Sequence, residues 1–331
     1  MTRRRQKLQR EAFFRDHPDL FELADNGAIE AEPLQPLGEA AVERPEHLRF
    51  ISFGSGSSGN CSYIGTPRCG LLLDAGVDNN RVLAELANNA IDPATIAGIL
   101  LTHDHSDHVR FAYAILRRYR HMKLFATPKA MAGLLRRHSM SRRIKDYHQP
   151  VYKEFPFTVG PFTITPFETS HDGTDNAGYA ITGLGTSFVL ATDTGTITSR
   201  ADFYIRQAEH LMIEADYDAH MLRTGPYPER LKARIASTIG HLDNADTARY
   251  LASVAASGKL RTVFLCHLSH INNTPALALR TVRDALEQAG LRVTDGAAPA
   301  ADPRLRLSVL PRLESSLMSV LAPAADVTKQ T

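Results

Sequence analysis

Only three cysteines, Cys61, Cys69 and Cys266, occur among 331 residues. Their odd number and the lack of any C-x-x-C spacing argue against a disulfide framework, and point to a reducing, cytoplasmic setting. No run of eighteen apolar residues is present, and no apolar stretch follows the arginines near the start, so neither a membrane span nor a secretory leader is expected. The glycine-rich stretch Gly54 to Asn60 lacks the Lys-Ser/Thr that completes a Walker loop, which leaves a hairpin turn or an anion-holding loop. No internal repeat is evident.

The most uneven absence is of acid. Hydrophobic residues at 43%, charged residues at 22% and a net charge of +2 describe an ordinary globular chain. Yet from Val109 to Lys145 there is no Asp or Glu, while eleven cations stand there: Arg110, Arg117, Arg118, Arg120, Lys123, Lys129, Arg136, Arg137, Arg142, Arg143 and Lys145. Such a block either is a solvated face or attracts a polyanion, for which a phosphate backbone is the commonest candidate. On the second reading Arg136, Arg137, Arg142 and Arg143 contact phosphates.

What the chain has in abundance is metal-ligand chemistry at one point. His103-Asp104-His105-Ser106-Asp107-His108 follows the apolar run Ile99 to Leu101, read as a buried strand, and precedes a helical pattern. In extended backbone His103 and His105 project to the same side, so both imidazoles reach one ion. Asp107 and His108 follow the bend and can serve a second. Imidazole and carboxylate suit zinc, manganese or iron, and an ion with few protein ligands keeps a position for water.

Around this point the pattern predicts strands at Leu48 to Phe53, Cys61 to Ile64, Gly70 to Leu73 and Ile96 to Leu101, then a hairpin over Tyr152 to Phe167. Further strands are expected at Gly178 to Thr182, Ser187 to Ala191, Leu211 to Ala215, Thr262 to Leu265, Leu291 to Thr294 and Leu305 to Leu310. Helices are expected at Asn80 to Asn89, Phe111 to Tyr119, Pro128 to His138, Ala245 to Ala256 and Pro275 to Ala289. Asp74, at a strand end, is expected to orient metal ligands rather than bind metal. Residues 1–47 read as a charged extension in which Phe13, Phe14, Leu20, Phe21 and Leu23 make an apolar stripe on a helix over Met1 to Asp25. It packs on the domain, binds a partner or nucleic acid, or solubilises. Residues 48–312 are expected to form one domain around the His103 to His108 turn, and 313–331 a flexible tail.

The His103 to His108 run resembles the signature of the metallo-β-lactamase superfamily. That resemblance implies an α/β fold, an αββα sandwich with its ligands on one edge, and two divalent ions, Zn2+ or Mn2+. It implies that His103, His105 and His171 hold the first ion, that Asp107, His108 and His267 hold the second, and that Asp193 and a hydroxide lie between them. Phe53 to Asn60, His171-Asp172, Gly240-His241-Leu242-x-Asn244 and His267-Leu268-Ser269-x-x-Asn272-Asn273-x-Pro275 together resemble the YycJ (WalJ) group, associated with DNA exonuclease activity. The similarity runs from about Leu48 to Gly290. It departs at Asp243, where the group usually has Ser, at His270 and Ile271, where an acid is often found, and at Asn176, where Pro is common. By the same resemblance His241 protonates the leaving oxygen or binds the scissile phosphate, which makes His241 and Asp107 the candidate catalytic residues.

The reaction expected is hydrolysis of phosphodiesters in a nucleic acid, DNA favoured over RNA. One rival is a hydrolase of a small phosphodiester, thioester or lactam, which has no use for eleven cations. The other is a nucleic-acid-binding protein whose metals are structural. Oligomeric state is left open.

Overall fold

Why two sheets form here is legible in β12, Thr-Val-Phe-Leu-Cys, whose five residues are all buried. Val263 and Leu265 join one apolar cluster and Phe264 and Cys266 another, because successive side chains in a strand point to opposite faces. A strand buried on both faces reads as a continuous apolar run, and such strands need a covering layer on each side. The structure, a computed structural model, describes residues 46–256, 259–296 and 303–323. All of them belong to the second of two units, Met1–Pro45 and Glu46–Thr331. The helix expected over Met1 to Asp25 lies outside the described residues.

The first sheet contains β1 (Leu48–Gly54), β2 (Cys61–Gly65), β3 (Gly70–Leu73), β4 (Ile96–Leu100), β5 (Lys123–Ala126) and β6 (His148–Pro150) in that spatial order. The second contains β7 (Phe157–Val159), β8 (Phe162–Glu168), β9 (Ala177–Gly183), β10 (Thr186–Ala191), β11 (His210–Glu214), β12 (Thr262–Cys266), β13 (Val293–Asp295) and β14 (Leu305–Val309), with β13 at its edge beyond β14. β15 (Ser319–Leu321) pairs antiparallel with β1 and completes the first sheet. The flexible tail expected from 313 is thereby corrected: Leu321 is fully buried against the inter-sheet core, a contact that three residues far from β1 in sequence could not announce.

The helices are α1 (Asn79–Asn88), α2 (Ser106–Val109), α3 (Ala112–Arg118), α4 (Pro128–Arg137), α5 (Ser199–Ile205), α6 (Ala219–Thr224), α7 (Glu229–Ile235), α8 (Asn244–Ala255) and α9 (Pro275–Gln288). Asp78, Thr127, Thr198, Asp218, Asp243 and Thr274 each cap a helix by accepting from a first-turn amide. Asp243 therefore does what a serine does at that position, and its substitution there is conservative. α1, α3 and α4 cover the outer face of the first sheet, through residues such as Val82, Leu116 and Leu134. α5, α8 and α9 cover the second through Ile205, Leu251 and Val282. Phe50, Phe188 and Phe264 stack between the sheets, with ring centroids 5.2 and 4.6 Å from that of Phe50. The order helix, sheet, sheet, helix is the αββα sandwich expected.

β5, β6 and the helices α5, α6 and α7 have no counterpart among the sequence expectations. β5 and β6 are only four and three residues long, and they hold because β4 and β5 supply their ladders. Replacing Phe50 by Ala is expected to cost about 3–5 kcal/mol of stability, the range for emptying a buried aromatic site. Chemical denaturation measures it; a loss under about 1 kcal/mol would show that Phe50 is not a keystone of the inter-sheet layer.

Candidate metal centre

Six strands end at one edge of the sandwich, and each hands over a polar residue there. Asp74 follows β3, His103 follows β4, His171 follows β8, Asp193 follows β10, Glu214 ends β11 and His267 follows β12. In open α/β sheets the carboxyl ends of parallel strands are where ligands gather, since chain leaves the sheet there and side chains splay into one crevice. His105 keeps extended backbone and caps α2, which places Asp107 and His108 in that helix's first turn.

Four overlapping sets of donor atoms lie within 4.8 Å of one another: His103, His105 and His171; His103, His108 and Asp193; Asp107, His108 and His267; and Asp193, Glu214, His241 and His267. All seven residues expected as ligands from the sequence are in this nest. Asp193 sits in the middle, with Oδ2 3.4 Å from His108 Nε2 and Oδ1 3.4 Å from His267 Nε2 and 3.8 Å from His171 Nε2. Asp107 Oδ2 is 3.6 Å from the Nε2 of both His108 and His267. His171 Nε2 and His105 Nδ1 stand 3.3 Å apart.

The donor set fits divalent cations on its own chemistry. His103 Nε2 and His267 Nε2 are buried with no hydrogen-bond partner, a costly state for a polar atom unless something positive meets it. The outward nitrogens of three imidazoles of the nest are engaged, while His267 Nδ1 lies 3.1 Å from Glu214 Oε1 without a hydrogen bond. His108 Nδ1 is 2.7 Å from Asp74 Oδ2, His171 Nδ1 is 2.9 Å from the Gly240 carbonyl, and His103 Nδ1 is 3.0 Å from Thr102 Oγ1. The Thr102 hydroxyl donates to Asp74, so its oxygen is left to accept from His103 Nδ1–H. Each of these contacts aims an Nε2 lone pair inward, the arrangement in which a carboxylate or carbonyl orients a liganding imidazole. Asp74 takes the orienting role assigned to it.

Charge in the nest is divided: burial opposes charge on His108 and His267, but Asp193 and the acids around it outweigh it and lift both well above the usual imidazole range. Burial, with His108 nearby, pushes His103 well below the usual imidazole range, so it is a neutral donor. Burial would raise Asp193, but His267 and His108 more than offset it and keep the carboxyl ionised.

Glu214 carries a role that the sequence reading missed. Fully buried, it lies 2.7 Å from His241 Nδ1 and 3.1 Å from His267 Nδ1, while its second oxygen accepts from the Thr194 amide at 2.9 Å. An acid ending an apolar strand, as Asp74 and Asp193 do, was the available signal. His241 stacks on His267 at 5.1 Å and 9°. Burial opposes its charge, but Glu214 outweighs that and lifts the imidazole to about 9.

Two further contacts were not foreseen. Asp172 binds Arg234 of α7 at 2.5 Å and lies 3.5 Å from His105 Nε2, so α7 reaches the rim of the nest. Arg137 lies 3.4 Å from Asp104, which is fully buried and also accepts from the Thr174 amide and hydroxyl at 2.9 and 2.6 Å. Arg137 thus turns its Nε toward the turn that carries the ligands, while its side chain stays partly exposed. The other ten cations of the acid-free block are exposed and in no ion pair among the described residues. Asn176, at the last of the departures, donates to the His171 carbonyl at 2.6 Å and steadies that ligand.

Gly76 backs directly on the turn, and a Cβ there would come 1.5 Å from the Asp107 carbonyl oxygen. Gly76→Ala is expected to cost about 1–3 kcal/mol and to weaken cation binding by displacing Asp107. Thermal unfolding and metal content of the purified variant check this; wild-type values in both would show that the turn yields freely.

Residues 70–267 match a model of the beta-lactamase superfamily domain. Exodeoxyribonuclease WalJ of Streptococcus pneumoniae serotype 2 (strain D39 / NCTC 7466) is 34% identical over 246 residues, 74% of this chain and 91% of that protein. Exodeoxyribonuclease YycJ of Bacillus anthracis is 32% identical over 252 residues, 74% of this chain and 92% of that protein. Among solved structures, Zn2+-bound PqqB from Methylobacterium extorquens superposes with a TM-score of 0.55 at 16% identity, over 81% of this chain and 99% of that one. That likeness speaks to the fold alone. With the ligand nest in place at the strand ends, the chain belongs to the metallo-β-lactamase superfamily, in the group that holds WalJ and YycJ.

Proposed function

We propose that this protein is a metal-dependent exonuclease that hydrolyses phosphodiester bonds of DNA. One observation carries the reading: a nest of cation ligands is built by a turn that leads into a stretch, Val109 to Lys145, with no acid and ten exposed cations in no ion pair among the described residues. A small-molecule hydrolase gains nothing from such a stretch, whereas a polynucleotide is held by it without regard to sequence. Relatives named exodeoxyribonucleases, matched over more than nine-tenths of their length, support DNA as the polymer.

In this reading His103, His105 and His171 hold one divalent cation, Asp107, His108 and His267 a second, and Asp193 serves both; zinc and manganese suit these donors. Such cations, when bound, supply a water of lowered pKa and offset the charge of the attacked phosphate. Asp74, Thr102 and the Gly240 carbonyl hold the imidazoles in place. With Nδ1 engaged by Glu214, His241 keeps Nε2 for the substrate, and the neighbouring carboxylate keeps that ring protonated near neutral pH. It is placed to give its proton to the departing oxygen.

Three outcomes are expected. On end-labelled duplex DNA with manganese or zinc added, the wild type releases nucleotides progressively from an end, and His103→Ala and Asp193→Ala lose both bound metal and activity; full activity at unchanged metal content would overturn the ligand assignment. His241→Ala keeps its metal but slows by about a hundredfold; loss of a metal would make His241 a ligand instead. Finally, Arg136, Arg142 and Arg143 changed together to Ala weaken DNA binding and flatten its log–log salt dependence by up to about 0.7–0.9 per lost contact, with bis-p-nitrophenyl phosphate hydrolysis retained. An unchanged salt slope would mark these three as a solvated face.

A further inference from the structure

Arginines from three distant parts of the chain meet around one small hollow beside the metal turn. Arg81 comes from α1, Arg110 from the residue after α2, and Arg312 from the segment after β14. The hollow holds about 170 Å³ and is walled by Ser58, Gly59, Val77 and Phe111, with Gly76 at its floor. That floor is shared with the metal centre. Gly76 lies on the Asp107 backbone, and Asn60 donates its amide to the Asp107 carbonyl at 2.8 Å while its side chain lies 3.0 Å from His108 Nε2.

The three guanidiniums are positioned without being neutralised. Arg81 donates to the Phe53 carbonyl, and Arg312 Nη2 donates to Ser58 Oγ at 2.5 Å. Arg312 Nη1 is buried with no hydrogen-bond partner, and no carboxylate forms an ion pair with any of the three among the described residues. The one acid in the wall, Asp78, accepts with Oδ1 from the Asn80 and Arg81 amides at the start of α1 and forms no ion pair with the three arginines. Like charges gathered at one hollow repel one another, and a buried guanidinium nitrogen without an acceptor is costly. An anion offsets both, and planar N–H forks match phosphate oxygens. Arg110 also lines a second hollow, of about 520 Å³, with Arg117, Tyr113 and His138, so the three-arginine pocket continues into the basic face.

We propose that the Arg81–Arg110–Arg312 hollow is a phosphate-binding subsite that seats a phosphate of the DNA chain beside the scissile bond. The proposal rests on the nuclease reading above and adds to it a fixed anchor for one phosphate. Two sources offer the same chemistry, a phosphate at the end of the strand and one inside it.

The test is steady-state kinetics of wild type and of the Arg81→Gln, Arg312→Gln double variant on duplex DNA bearing 5′-phosphate, 3′-phosphate or only hydroxyl ends, with bis-p-nitrophenyl phosphate as a substrate too small to reach the hollow. The double variant is expected to raise KM for DNA by about tenfold or more, as loss of charge-assisted hydrogen bonds does, with the small substrate affected less than about twofold. A rise confined to one phosphorylated end identifies a terminal phosphate; an equal rise on all three identifies an internal one. Arg312→Lys, which keeps the charge but not the fork, is expected to recover only part of the loss and controls for misfolding. Unchanged KM on all three duplexes overturns the subsite. Hydrolysis of the small diester without cleavage of any DNA by wild type would instead overturn the nuclease reading itself.

Discussion

Two buried carboxylates govern this structure. Asp74 and Glu214 are almost wholly removed from water, one at the end of β3 in the first sheet and one at the end of β11 in the second. An ionised carboxylate so placed costs several kcal/mol unless it is paired and hydrogen-bonded. Here Asp74 receives the Thr102 amide and hydroxyl and the His108 ring, and Glu214 receives the Thr194 amide and the His241 ring. The cost of burial is offset only if those imidazoles stay where they are. Each sheet therefore brings its own orienting acid to the edge, and the nest exists because the Phe50–Phe188–Phe264 layer fixes the sheets against each other.

Of the six non-glycine residues with positive φ among the described residues, three stand at the nest. Asp74, Asp193 and His267 adopt φ of 60°, 51° and 55°, a left-handed conformation that costs side-chain-bearing residues about 1–3 kcal/mol each. All three stand just past a strand end, where the chain must turn and the side chain must still face the nest. Gly76 meets the same demand differently, by having no side chain between the Asp107 carbonyl and its own backbone.

Most of the sandwich was legible because its strands are buried on both faces or alternate cleanly, and its longer helices carry an amphipathic period. The metal turn was legible for a local reason: four ligands within six residues leave few other readings. What escaped the sequence depends on distance along the chain. Glu214 shows in the sequence only as an acid ending an apolar strand, and its partners His241 and His267 are set by folding, as is the pairing of Arg137 with Asp104 through α4 docking on the turn. β15 escaped for the same reason, since a run of three residues becomes a strand only against β1. α6 and α7 are short, charged helices with a small apolar cluster of their own, Tyr217, Leu222 and Ile235, and no long amphipathic period marks them.

The claim on which the rest depends is that these residues form one centre for two cations. Crystals grown with manganese, measured for anomalous scattering, address it directly. Two peaks are expected, one among His103, His105 and His171 and one among Asp107, His108 and His267, with Asp193 touching both. A single peak, or peaks away from these side chains, would contradict it.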